Sequence, residues 1–379
     1  MRTRLLAAGL LLALSGCSTV GGWFGSGAPK PKPAELVEFK PTASLAEAWK
    51  GETGDAAGHL FHPQADGDDL FAAGGSRVAR FAVASGNPVW REDTGVRLSA
   101  GAGVGEGLVL AGGAKGELLA LDPASGKVRW KATLSSEVTG QLLAVADTVI
   151  ARTGDGRVHG LAAADGSRKW LYTRTLPALS LRGSGGMTAR DDVVYAGFPG
   201  GKLVALDAGN GAQLWEATVA LPRGATELER VADVMGAPVV DALQVCAVAY
   251  QGRLACFDRR NGALRWARDI SSNSGLSMDA RNLYLTDDKD AVIAYDKDSG
   301  RAGWRQDKLA RRQVTAPLAF GDWVVVGDGE GYVHVLSAED GRFVARAQVD
   351  SGVRVAPVDI GPGFAVQTAR GSVVAFRLK

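Results

Sequence analysis

The chain is short of the residues that most enzymatic chemistry needs. Its 379 residues include only four histidines, His59, His62, His159 and His334, and three cysteines. None stands in an H-E-x-x-H or Cys-rich arrangement, so no zinc site is expected, and no G-x-S-x-G elbow marks a hydrolase nucleophile. Charge of one sign is lacking as well. With 43 basic against 41 acidic residues, the formal net charge is +2, and nucleic acid is excluded as a partner because it needs clustered cations to neutralise phosphates. No apolar run reaches the roughly 20 residues that cross a bilayer. Acidic clusters at Asp66 to Asp69, Asp287 to Asp290 and Asp328 to Glu330 lack EF-hand spacing and fit hairpin turns. The glycines Gly101, Gly103 and Gly105 lead into a strand, not a helix, so no helix N-terminus is available for a phosphate. No catalytic residue, metal or cofactor is expected.

What is present begins with a leader. Arg2 and Arg4 precede an apolar run over residues 5–14, too short for a span and followed by small residues, as in a secretory signal. The sequence Leu14-Ser15-Gly16-Cys17 resembles the bacterial lipobox, which implies lipid attachment at Cys17. Ser18, where an Asp would retain the protein in the inner membrane, implies delivery to the outer membrane. Residues 1–16 are therefore expected to be a lipoprotein signal peptide, and several acyl chains would anchor far more firmly than one. Loss of Arg2 and Arg4 brings the formal charge to about 0 (2 − 2). Residues 17–43, rich in Gly, Pro, Lys and Ser, are expected to form the lipidated N-terminus and a flexible tether. Trp23 and Phe24 within it suit either a membrane interface or a plain linker.

From residue 44 onward one unit recurs: two apolar residues and an Asp, then Gly, then Trp four residues later. Full copies stand at Asp122, Gly126 and Trp130; Asp207, Gly211 and Trp215; Asp258, Gly262 and Trp266; and Asp296, Gly300 and Trp304. Gly86 with Trp90 and Gly166 with Trp170 lack the Asp, and a further copy at Gly341 has Ala345 in place of the Trp. The seven glycines lie 40, 40, 45, 51, 38 and 41 residues apart. Units of that length with several short strands are propeller blades. The Gly suits a turn between the last two strands, and the Trp suits burial between blades. The last strand, near residues 373–378, has no Gly-x-x-x-Trp segment after it, whereas Trp49 lacks the strands before it. Joined, they make one blade, which predicts an all-β, eight-bladed propeller of four-stranded antiparallel blades over residues 44–379, closed by the N- and C-terminal strands. Seven blades is the alternative if the unit before Gly86 is not a full sheet.

Cys246 and Cys256 flank a hairpin near Gly252. A three-residue loop sets them opposite each other, where they can bridge; a two- or four-residue loop sets them on opposite faces.

The repeats resemble those of quinoprotein dehydrogenases, eight-bladed propellers with a quinone on the axis, which makes an enzyme of that kind the rival reading. The chain lacks the adjacent cysteine pair of many such enzymes and is too short for their substrate-covering insertions. The two longest periods, 45 and 51, are consecutive, so their extra residues belong to neighbouring blades. The first includes Leu179, Leu181 and Arg182; the second includes the segment Gly224 to Val234, with Asp233 in it. Long loops in compact domains carry function, and Leu179 and Leu181 beside Arg182 suit an exposed binding patch rimmed by charge. The alternative is that these leucines fold back over a blade edge.

The lipobox, the tether, the repeats, the Leu-Ser-Leu-Arg-Gly loop and the Thr-Glu-Leu-Glu-Arg-Val-Ala-Asp-Val segment together resemble the BamB family, the propeller lipoproteins of the outer-membrane β-barrel assembly (BAM) machinery. The late Gly-Asp-Gly-Glu-Gly-Tyr-Val and Glu-Asp-Gly-Arg-Phe-Val-Ala stretches extend that resemblance over nearly the full length. It implies a non-enzymatic scaffold, lipid-anchored to the outer membrane and facing the periplasm. It also implies binding of the periplasmic (POTRA) domains of BamA through Leu179, Leu181, Arg182 and Asp233, and assistance to unfolded outer-membrane protein precursors. A second acid of the family's pattern falls at Met235 here, which implies that the electrostatic part of that contact is either weaker or supplied from elsewhere.

Overall fold

The computed structural model describes residues 32–181 and 185–379. Among these there is no α-helix, and the strands form eight antiparallel sheets of four strands each. Blades 1 to 7 span residues 64–93, 98–133, 138–173, 187–218, 239–269, 276–306 and 318–348. Blade 8 takes three strands from residues 358–378 and its outermost strand, Leu45–Glu52, from the other end of the chain. Leu45 lies opposite Leu378 and Glu52 opposite Ser372, so the two ends of the domain close the ring as expected.

Each blade is apolar on both faces and can bury them only against its neighbours. Eight buried apolar clusters result, and each draws its residues from two adjoining blades, from Ala79 and Phe81 with Ala375 between blades 1 and 8 to Val335 with Phe364 between blades 7 and 8. The recurring Gly and Trp form the seam between them. Trp170 of blade 3 donates its indole N–H to the carbonyl of Ala208 in blade 4, 2.9 Å away. Gly211 of blade 4 lies on the face of that same ring. Trp49, Trp90, Trp130, Trp215, Trp266 and Trp304 each reach the next blade's turn in the same way, with N–H to carbonyl distances of 2.7–3.0 Å. The missing indole at Ala345 has a physical reason. It would have to reach a turn between the last two strands of blade 8, and that turn does not exist, because those strands are opposite ends of the chain.

Cys246 and Cys256 are register partners on adjacent strands of blade 5, both buried and bridged by a disulfide. The carboxylates of Asp287 and Asp328 accept backbone N–H groups of their own hairpins, which accounts for two of the acidic clusters. The strand containing Gly101 to Gly105 is innermost in blade 2, and its glycines allow blade 3 to approach: a Cβ on Gly105 would stand 2.6 Å from the Ala144 carbonyl oxygen.

Candidate functional site

In an antiparallel blade, the link from the outermost strand to the next blade and the turn between the two middle strands open on one face. The Gly turns open on the other. The two long connections of the sequence, 174–186 between blades 3 and 4 and 219–238 between blades 4 and 5, therefore share a face. Both press on the middle turn of blade 4. Gly200 lies beside Pro177 of the first connection, and Gly201 lies beside the Ala220 backbone of the second. The described residues of the two connections meet over the middle turn of blade 4 and form one surface there.

The first connection is braced at several of its described residues. At its start, Arg174 meets Glu216 at 2.6 Å, and Lys202 approaches the same carboxylate at 3.2 Å; the bond from Arg174 holds Glu216 below its ordinary pKa. Leu176 packs over Gly156. At its end, the buried Arg152 donates to the carbonyls of Gly185 and Gly197 and lies over the Phe198 ring, 4.4 Å from its centroid. Burial lowers Arg152 to about 10, a shift that the Asp233 carboxylate opposes, so the guanidinium stays charged at neutral pH. Between these points, Asp233 accepts the N–H of Leu181 at 2.7 Å and that of Gly200 at 3.1 Å.

Asp233 is only 2% exposed. The family resemblance implied an acid that meets the partner; the structure places it beneath the loop, with both oxygens bonded to backbone. Arg182 lies outside the described residues, as does Cys17. Leu179 stands 48% exposed at the loop's crest. Leu181 is half-buried beside a cavity of about 800 Å³ that His59, Arg97, Glu137 and Arg152 also line. Met235 is half-buried.

The second connection is braced by local chemistry. Thr226 and Glu229 form a reciprocal cap: the Glu229 carboxylate accepts the Thr226 N–H at 3.0 Å, and the Thr226 hydroxyl accepts the Glu229 N–H at 3.2 Å. The Ala225 N–H adds a third bond at 2.9 Å, and these backbone donors hold Glu229 below its ordinary pKa. The single turn so fixed projects Leu228, 71% exposed, and Leu221 precedes it at 62%. Leu228 lies in the segment that the sequence marks as long but is not itself marked there, and Leu221 lies outside that segment. The signal for Leu228 was a leucine between two glutamates; Leu221 gave none.

The recurrent Gly-x-x-x-Trp seam and the ring closed by both chain ends define an eight-bladed propeller of the quinoprotein-like repeat class. The profile of the family described as outer membrane protein assembly factor BamB matches residues 74–306 and 289–379. The BamB of Bordetella pertussis is 42% identical over 97% of this chain and 95% of its own length. That of Pseudomonas aeruginosa is 39% identical over 98% and 97%. The chain belongs to the BamB family of outer membrane protein assembly factors. The crystal structure of BamB from Moraxella catarrhalis superposes with a TM-score of 0.82 at 26% identity, covering 88% of this chain and all of that one. A quinohemoprotein alcohol dehydrogenase from Comamonas testosteroni shares the fold, with a TM-score of 0.70 at 14% identity over 88% of this chain and 76% of that one.

Proposed function

We propose that this protein is a non-enzymatic scaffold of the outer-membrane β-barrel assembly machinery, lipid-anchored through Cys17 and facing the periplasm, which binds the periplasmic domains of BamA and so assists folding and insertion of outer-membrane proteins. Residues 1–16 are its signal peptide. The observation that carries this reading is the pair of connections over blade 4, which expose leucines that are braced from below. An apolar side chain left in water on a fixed backbone is ready to bury its area without a further ordering cost, and that is the condition for a binding anchor. Leu179 and Leu181 supply apolar contact, Arg182 beside them pairs with a carboxylate or carbonyl of the partner, and Leu221 and Leu228 extend the patch. Asp233 acts through the loop it holds. The cysteine pair favours this reading over a quinone enzyme, because it is buried in the two middle strands of blade 5, away from the inner rim.

The test is affinity capture of the full-length protein from detergent-solubilised envelopes, read by mass spectrometry. Recovery of barrel-assembly subunits, BamA among them, is expected. Absence of those subunits together with quinone-dependent dye reduction by the purified protein would put a dehydrogenase in the scaffold's place.

A further inference from the structure

Residues 32–43 fall in the stretch that composition assigns to a flexible tether, yet they are seated along the outer side of blade 7. The Ala34 N–H donates to the Ala310 carbonyl at 2.9 Å, and the Thr42 N–H donates to Val344 at 3.0 Å. Val37 and Phe39 join the apolar cluster between blades 6 and 7, and the Phe39 ring stacks on Phe343 with centroids 5.5 Å apart. Three arginines then grip the backbone: Arg311 donates to Lys32 O at 2.7 Å, Arg312 to Ala34 O at 2.9 Å and Arg346 to Val37 O at 3.0 Å.

Two of these arginines are fixed from behind by a buried relay. Asp328, fully buried, takes Arg312 Nε at 2.6 Å and His334 Nε2 at 2.9 Å, and the other ring nitrogen of His334 accepts Arg346 Nε at 3.1 Å. A buried polar network is costly unless its members are satisfied, and here Nη1 of each arginine ends on a carbonyl, Ala34 for Arg312 and Val37 for Arg346, which leaves Arg346 Nη2 as the buried donor without a partner among the described residues.

The path of the segment matters as much as its grip. The strand Leu45–Glu52 starts beside Leu378, on the face where the other blades make their Gly turns. From there, going back along the chain, the segment climbs the side of blade 7 and reaches Lys32 beside Arg311, in the connection between blades 6 and 7. That connection opens on the face carrying Leu179 and Leu228, three blades round the ring from the first and two from the second.

We infer that residues 32–43 are a docked strap that carries the anchor's exit point from one face of the propeller to the other, so that the lipid leash leaves from the same face as the blade 4 binding patch, two to three blades round the ring from it. The inference rests on the lipid-anchor reading for its purpose but not for its geometry. Undocked, the leash would leave from the opposite face and gain twelve residues, about 40 Å of reach at full extension. Docking thus limits the orientations in which the anchored propeller can present its patch.

Amide hydrogen exchange on the full-length lipidated protein in vesicles tests this. The amides of Ala34 and Thr42 are expected to exchange on the order of 100-fold more slowly than unstructured chain. Phe39→Asp is expected to return both to unstructured rates while Val324 and Val326 of blade 7 keep their protection, which shows that the blade itself still folds. Unprotected amides in the wild type, or protection that survives Phe39→Asp, overturns the strap. Spin labels at positions 32 and 228 add a readout without that variant, since docking predicts one narrow distance distribution and a free tether a broad one. Cys17→Ala separates the two readings: it should abolish membrane pelleting yet leave strap protection intact.

Discussion

Asp233→Ala is expected to raise the Kd for BamA's periplasmic domains at least tenfold, although the side chain is almost wholly buried. Its removal strands the N–H groups of Leu181 and Gly200, and hydrogen bonds to a charged group contribute about 1.5–3 kcal/mol each. The loop bearing Leu179 then loses its central support, and the partner must order it on binding; a tenfold weaker Kd corresponds to about 1.4 kcal/mol. Arg152 also loses the carboxylate that opposes its desolvation, so the melting temperature should fall as well. Asp233→Asn distinguishes support from contact. Its amide oxygen can still accept one of the two N–H groups, so an intermediate Kd is expected. Titration calorimetry reads both variants, and an unchanged Kd in Asp233→Ala would remove the acid from the account.

The second large effect concerns the ring. Gly211→Ala should destabilise the propeller by about 2–4 kcal/mol, from backbone strain at positive φ together with displacement of a packed ring. Gly211 has φ +73°, and an added Cβ would stand 2.6 Å from the Trp170 indole. Gly67 is the matched control: its φ is +56°, and nothing lies within 4 Å of a Cβ placed there. Gly67→Ala should therefore cost only the backbone share, about 1 kcal/mol. The comparison is made by denaturant unfolding. Equal losses in the two variants would mean that the Gly-on-Trp seam does not hold the blades together.

The ring was legible in the sequence because its seam is made of two residue types at fixed spacing, and because both ends of the domain carried half a blade. Ala345 looked like a lapse in the pattern, and only the closing blade shows why no indole belongs there. The disulfide could not be decided beforehand, since one residue more or less in the hairpin around Gly252 would have turned the cysteines apart. The loop with Leu179 stood out by its length and by leucines where polar residues are usual. Asp233 was found, but its role was hidden, because its partners are backbone amides 33 and 52 positions away and carry no residue signature. The strap was missed because Pro and Lys dominate the composition around it. Val37 and Phe39, spaced to face one side, were the available clue.

The central claim is that the work of this propeller is done by the braced surface over blade 4. Its most direct measurement is the amide exchange footprint of the intact protein with and without BamA's periplasmic domains. Slowed exchange confined to residues 176–181 and 220–231 is the predicted result. Slowed exchange at the Gly turns of the opposite face, with the blade 4 connections unchanged, would contradict it.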